Sequence, residues 1–444
     1  MKRLHKLNLL VKPTNDCNIN CQYCFDRLKR EQLRGQRLTL RQIEKLARLA
    51  SEVSSDVDWI WHGGEPTLMG RKFYEEAQPL ILQNYTTNFS QSLQSNGINI
   101  AKDSEWLEFF KTNGIYFGVS YDSLTQYIRS DKIDLSAIFD YQVMESNSCG
   151  AITVLNKSNV SKMIDMYDNL KIRYKGKFIL CFNPIFETES GENTGLEISL
   201  EEFKENYTKF VHHVFYDTTA YASTERTFMM YLRGLLGYEK FGSCRHGHCE
   251  GNWLCIIGNG DIYPCDIAVE TYKLGNLNEI ESFDEILDSA IMKQYINDIA
   301  RRFEQHCNSC SYYRLCGGGC NSAHALSKKP NRAYNLSENQ CEQLKTLVDI
   351  VYKELIQIDS LDSINPKIAS ELRNNNFVTM SEIGTALNTV FGVDLTKDLK
   401  NSDKNTYNSN YYKLFNIFNG TPLNTKTILA TKKTAIIDIL ETLN

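Results

Sequence analysis

Short apolar runs alternate with helical patterns through roughly the first 190 residues, and this alternation limits the fold more than any other feature. LNLLV, VDWIW, QSLQS, IYFGVS, GAITVL and KFILCF have strand length, and segments such as LTLRQIEKLARLA, EWLEFFKTN and NVSKMIDMYDNL lie between them. Strands separated by helices predict repeated βα units and a mostly parallel sheet. Six units fit this stretch. Sheets of this kind gather their chemistry at the carboxyl ends of the strands, so the residues just after each run are the first candidates for a site.

After the first run comes CNINCQYC, which places Cys17, Cys21 and Cys24 on one short loop. Soft thiolates favour zinc, Cu(I) or iron–sulfur centres, and a cubane held by three cysteines keeps one iron open to another ligand. Three reduced core cysteines are the plainer alternative, although Asp16, Asn18 and Gln22 make the segment polar. A zinc site would need a fourth ligand, and none is near in the sequence.

The later strand ends are polar. WHGGEPTLMG carries Gly63, Gly64 and Glu65, SLQSNG carries Ser95 and Asn96, and GVSYDS carries Ser120 and Asp122. Paired glycines permit close backbone approach, and carboxylates and hydroxyls can hold a polar ligand. Each of these segments taken alone also reads as a turn. His62 is expected to line the cavity wall rather than to do chemistry.

A second cysteine group begins with CRHGHCEGNWLCIIGNGDIYPCD at residue 244, continues with CNSCSYYRLCGGGC at 307 and ends at Cys341. Without Cys244 it supplies eight thiolates, the number that two fully ligated cubanes need; a pair of zinc sites would use similar spacings. Cys244 could replace Cys249 or Cys255, and His246 and His248 read as residues of a polar loop.

The chain has 444 residues, 42% hydrophobic and 23% charged, enough for a large core or several domains. No apolar run reaches membrane-spanning length and no signal peptide is evident, so its 14 cysteines suggest metal sites in a reducing cytoplasm. A net charge of -5 gives no electrostatic case for nucleic acid.

VKPTNDCNINCQYCF resembles the cluster loop of the radical S-adenosylmethionine (radical SAM) enzymes, and the second cysteine group, with its turn from Gly260 to Cys265, resembles the SPASM domain. WHGGEPTLMGRKFYEEA looks like the sulfatase-maturing branch and its peptide-modifying relatives. The resemblance implies an α/β fold: a partial (β/α)6 TIM-like barrel over 1–235, a SPASM iron–sulfur domain over 236–350, and a small helical or winged-type tail over 351–444. It implies three 4Fe-4S clusters. Cys17, Cys21 and Cys24 would hold the catalytic one, Cys249, Cys255, Cys265 and Cys320 the first auxiliary, and Cys307, Cys310, Cys316 and Cys341 the second. Gly63, Gly64, Glu65, Ser95, Asn96, Ser120 and Asp122 would contact S-adenosylmethionine, and Asp266 would be the base that takes a proton from substrate.

The expected activity is modification of a ribosomal precursor peptide or a protein, giving a crosslinked or otherwise altered product. The alternatives are oxidation of Cys or Ser to formylglycine, as in anaerobic sulfatase maturation, and a non-catalytic iron–sulfur scaffold. A flavodoxin- or ferredoxin-type electron donor is expected. Because the first strand starts almost at the N-terminus, peptide recognition would fall to the tail or to a separate leader-binding protein.

Overall fold

The computed structural model describes residues 3–85, 88–122, 134–184, 195–236, 251–267, 269–322, 324, 336–375, 377 and 379. Each of the six apolar runs is a strand: β1 (Leu7–Val11), β2 (Val57–Trp61), β3 (Phe89–Ser95), β4 (Ile115–Ser120), β5 (Cys149–Leu155) and β6 (Phe178–Pro184). They pair in parallel and in chain order, the topology of a partial (β/α)6 barrel.

Strand alternation separates two cores. Leu9 and Val11 pack into the main cluster with the outer helices, whereas Leu10 joins Cys255, Ile257 and Tyr263 on the other face of β1. The helix Leu40–Val53 shows how the outer layer is specified. Thr39 and Gln42 form a capping box, and Ile43, Leu46, Ala47, Leu49, Ala50 and Val53 make one buried stripe. Each large apolar side chain so buried contributes roughly 1.5–3 kcal/mol.

The sheet continues past residue 235, the boundary expected from sequence. Strand β7 (Trp253–Ile256) lies parallel to β1, and β8 (Asp261–Tyr263) and β9 (Gly275–Asn276) follow antiparallel, making one nine-stranded sheet. The edge of β1 is thereby covered by the segment that carries Cys255, and Cys265 and Asp266 follow β8.

The expected boundary at 350 falls inside the helix Leu336–Leu355, which packs on the helices Leu200–Phe215 and Arg226–Leu235. Beyond it, Asn365 caps the helix Pro366–Asn374 and is fully buried, its Nδ2 donating to Val214 O (3.0 Å) and Ser223 O (2.8 Å). Ile368 and Leu372 of that helix belong to the main core. The expected tail beyond residue 379, together with Cys244, His246, His248 and Cys249, lies outside the described residues. Among the described residues no helix is long and apolar enough to cross a membrane.

Candidate active site

The cysteine loop leaves β1 and is met at once by the end of β2. Gly64 N donates to Thr14 O (3.2 Å) and Glu65 N to Asp16 O (2.8 Å). A Cβ on Gly63, which has φ 129°, would lie 2.5 Å from Thr14 O, and one on Gly64 would lie 2.1 Å from Asp16 O. Both glycines are therefore required by the approach of the two loops.

Cys17, Cys21 and Cys24 line a cavity of about 360 Å³ at the carboxyl ends of the strands, with Gly63, Gly64, Ser95, Asn96 and Ser120 on its walls. Arg30 Nη1 lies 3.7 Å from Cys24 Sγ while Nη2 donates to Ile19 O (2.8 Å). Asn96 Nδ2 is 3.8 Å from Cys17 Sγ. Burial pushes the Cys17 thiol up, against the Ile19 backbone N–H and the charge of Arg30. Among the described residues no three His, Cys, Asp or Glu converge as they would on a single ion. Three soft donors around a hollow beside a cation fit a three-thiolate cubane better than lone zinc. Arg30 was not singled out from the sequence; its signal is a basic residue in the helix Arg27–Gln32, directly after the third cysteine.

Two residues expected to touch the cofactor stand behind this wall. Glu65 is fully buried and does not line the cavity. Its Oε1 accepts from Thr67 N (3.1 Å), Thr67 Oγ1 (2.6 Å) and Ser95 Oγ (2.9 Å), and its Oε2 from Asn96 N (2.8 Å). Burial pushes its pKa up, opposed by these donors. Glu65 thus positions Ser95 and Asn96, which do line the cavity. Asp122 likewise accepts from the hydroxyl of Tyr23 and is buried, whereas Tyr23 and Ser120 face the hollow. A carboxylate that satisfies buried donors is poorly spared for a ligand, a competition the motif alone does not reveal.

Asp266, Cys265 and Cys320 complete the cavity wall from the carboxy-terminal half. Lys12, fully buried, places Nζ 2.9 Å from Asp266 Oδ1, 3.0 Å from Asp266 O and 3.3 Å from Asp26 Oδ1. His62 lines the cavity, as expected, and its Nδ1 is 3.7 Å from Asp266 Oδ1. Burial would raise the Asp266 carboxyl, but Lys12 and His62 outweigh it and hold the group below its usual range. Lys12 was missed because it sits at the end of an apolar strand; its one signal is the cation in LLVKPTND.

Residues 11–136 match the profile of the radical SAM superfamily, and residues 244–311 that of the iron–sulfur cluster-binding SPASM domain. The chain carries a radical SAM domain followed by a SPASM domain. It is 27% identical over 368 residues to the cysteine-type anaerobic sulfatase-maturating enzyme of Clostridium novyi, covering 78% of this chain and 95% of that enzyme. The serine-type enzyme of Klebsiella aerogenes is 25% identical over 347 residues, covering 73% of this chain and 82% of that one. Among solved structures, native anSMEcpe with bound AdoMet and the Kp18Cys peptide aligns with a TM-score of 0.65 at 22% identity, over 83% of this chain and 99% of that one. Streptococcus suis SuiB bound to its precursor peptide SuiA aligns at 0.53 and 19%, over 73% and 74%. These two likenesses show the fold. S-adenosylmethionine and iron–sulfur clusters are the cofactors of the radical SAM enzyme.

Among the described cysteines of the SPASM region, four lie together. Cys307, Cys310, Cys316 and Cys341 are mutual electrostatic neighbours, with Arg302 and Lys345 beside them. Gly317, Gly318 and Gly319 all have positive φ, and the turn they make lets Gly318 N approach Cys316 Sγ at 3.4 Å. Burial pushes the Cys316 thiol up to about 11. Four soft donors, a backbone donor and two cations fit a fully ligated cubane. Of the other expected set, Cys265 and Cys320 line the reaction cavity, while Cys255 is fully buried beside Lys12.

Proposed function

We propose that this radical SAM enzyme acts on a peptide or protein and oxidises a cysteine or serine side chain in it to formylglycine. One observation carries the reading: Asp266, ion-paired to Lys12, lines the same cavity as the three-cysteine loop. Similarity over nearly the full length of the sulfatase-maturating relatives favours this alternative over the crosslinking activity first expected from sequence.

In this reading Cys17, Cys21 and Cys24 hold the catalytic cubane, with Ser95, Asn96 and Ser120 toward S-adenosylmethionine. Cys249, Cys255, Cys265 and Cys320 hold one auxiliary cluster, and Cys307, Cys310, Cys316 and Cys341 the other. When bound, these groups would supply a 5'-deoxyadenosyl radical that takes a hydrogen atom from the substrate and an acceptor for the second electron the substrate loses, while a flavodoxin- or ferredoxin-type partner would supply the electron that cleaves S-adenosylmethionine. The chain's own part is to hold the substrate and remove its proton; a serine then becomes the aldehyde directly, whereas a cysteine becomes a thioaldehyde that water hydrolyses with loss of sulfide. Asp266 is ionised at neutral pH, so its carboxylate can take the thiol or hydroxyl proton, and Lys12 fixes its orientation. A carboxylate held low is a weak base, suited to a proton that becomes acidic once the neighbouring carbon has lost its hydrogen.

Asp266→Asn keeps the shape and removes the proton acceptor. It is expected to lower aldehyde formation on a cysteine-containing peptide by at least about a hundredfold, with 5'-deoxyadenosine still produced. Hydrazide labelling and mass spectrometry read the aldehyde. Equal aldehyde yields from variant and wild type would eliminate the base role. A crosslinking peptide maturase, with or without a separate leader-binding protein, remains the second reading, because about a fifth of the chain lies beyond the aligned relatives. It predicts a product that has lost hydrogen without gaining an aldehyde.

A further inference from the structure

At the opposite end of the barrel, the amino ends of β5 and β6 open onto a second hollow of about 670 Å³. Lys175, Lys177, Arg226, Arg233 and Lys367 line it, and no carboxylate is among its described lining residues. Glu371 pairs with Arg233 at 3.1 Å, and Lys367 Nζ donates to Gly176 O at 2.9 Å. The hollow nevertheless concentrates positive charge in a chain whose net charge is -5. Like charges gathered in a concavity repel one another and draw in an anion. The lining is also apolar in part: Met229 and Met230 contribute, and Ile179 lines it with 53% of its surface exposed.

We propose that this hollow binds an acidic segment of the substrate, one carrying several carboxylates and at least one apolar side chain. The proposal rests on the reading above that the substrate is a peptide or protein. Phosphate-sized anions would leave the methionines and Ile179 without a role and fill only part of the space. Charge complementarity and an apolar floor together select a peptide. Strand β6 starts in this hollow at Phe178 and ends in the reaction cavity at Asn183 and Pro184. Its length sets the spacing at roughly 20 Å. In a linear substrate the acidic segment therefore lies about six or more extended residues from the side chain that is modified.

The test uses the cluster-loaded full chain and a short fluorescein-labelled peptide alternating Glu and Leu, compared with Gln–Leu and Lys–Leu counterparts by anisotropy. The Glu–Leu peptide is expected to bind at least about tenfold more tightly than either control, and to weaken with salt. Lys175→Glu with Lys177→Glu should abolish the preference, and the milder Lys→Gln pair should reduce it; iron content and circular dichroism check that each variant is folded. Equal binding of the three peptides, an unchanged preference in the reversed variant, or full competition by millimolar inorganic phosphate would each overturn the proposal. A second measurement separates it from the reading it rests on. Joining the Glu–Leu stretch to a cysteine peptide should lower KM for the wild type at least fivefold and not for the reversed variant. No aldehyde from any peptide, with the anisotropy preference intact, sinks the formylglycine reading and leaves the hollow standing. Aldehyde formed with the same KM whether or not the acidic stretch is attached sinks the hollow alone.

Discussion

Lys12 and Lys171 are each paired with two aspartates, at opposite ends of the barrel, and their surroundings differ. Lys12 is fully buried between Asp26 and Asp266, and Asp266 borders the reaction cavity. Lys171 keeps 13% of its side chain exposed and bridges Asp168 (3.1 Å) and Asp217 (2.9 Å), where Tyr167 also donates to Ser223 O (2.8 Å). Around Lys171, which does not line the hollow at that end, the polar groups satisfy one another and tie helices and tail to the sheet. At the carboxyl ends they surround a space. Buried polarity serves anchoring in the first place and ligand handling in the second, as expected for a barrel whose chemistry lies at the strand carboxyl ends.

The strongest way to break that contrast is to remove the donors around the space. Cys17, Cys21 and Cys24 all changed to Ala should abolish 5'-deoxyadenosine formation under a strong reductant. On the proposal of three clusters with four irons each, roughly eight of about twelve irons should stay. Persistent cleavage by this variant would refute the assignment of the reaction end. Lys12→Met comes next. It leaves two carboxylates without their cation, Asp26 buried and Asp266 28% exposed at the cavity wall, a loss of about 3 kcal/mol, the low end for breaking a buried pair. Lys171→Met breaks a partly exposed bridge and should cost about 1–2 kcal/mol. Anaerobic urea unfolding measures both, and equal losses would mean that the two lysines do the same work.

Gly64→Ala sharpens the comparison at smaller scale. The new Cβ would meet Asp16 O at 2.1 Å, so one loop must move away from the other. Because Asp16 precedes Cys17, the shift displaces the cluster loop, and S-adenosylmethionine should bind at least about tenfold more weakly, near 1.4 kcal/mol. Equilibrium dialysis with labelled S-adenosylmethionine checks this. Gly114 has open space at its Cβ position, so alanine there meets only the strain of its φ of 63° and should leave binding unchanged.

Much of this was legible in the sequence, for identifiable reasons. Five of the six strands follow from runs of strand length that carry β-branched or aromatic residues, whereas QSLQS carries neither and was legible only from its place between helical segments. The cysteine loop follows from spacing, because three thiols within eight residues after a strand can hardly avoid one another. Long-range pairing was not legible: nothing local in WLCI says that it will run parallel to LNLLV, 245 positions away in the register Asn8 to Trp253. Glu65 and Asp122 show a different limit. Sequence proposes a carboxylate near a ligand, but only the fold reveals that backbone and hydroxyl donors have already claimed it. Lys12 is the converse case, a cation read as the end of a strand until Asp26 and Asp266 close around it.

The smallest effect is also the one that separates the two ends by sign. Burial would raise the Asp217 carboxyl, but Lys171 and Thr219 outweigh it and hold it below its ordinary value of 3.8. Its contribution is therefore fully present above the unfolded pKa and fades as pH falls below about 4 toward the folded value. Glu65 moves the other way: burial outweighs its donors and raises it above 4.5. The folded chain then holds that proton more tightly than the unfolded chain, so this group's contribution fades as pH rises past about 4.5. Both are effects of a single carboxylate, one held by a partly exposed lysine and one already satisfied by donors, and they should be the smallest of the set. Unfolding followed by circular dichroism across pH 3 to 7 should give Asp217→Asn a weaker loss of stability on the acid side, and Glu65→Gln a weaker loss on rising through the carboxylate range. If both variants changed the pH profile in the same direction, the two buried carboxylates would be answering to the same forces, and the division between the anchoring cluster at Lys171 and the ligand-handling cluster at Lys12 would fail.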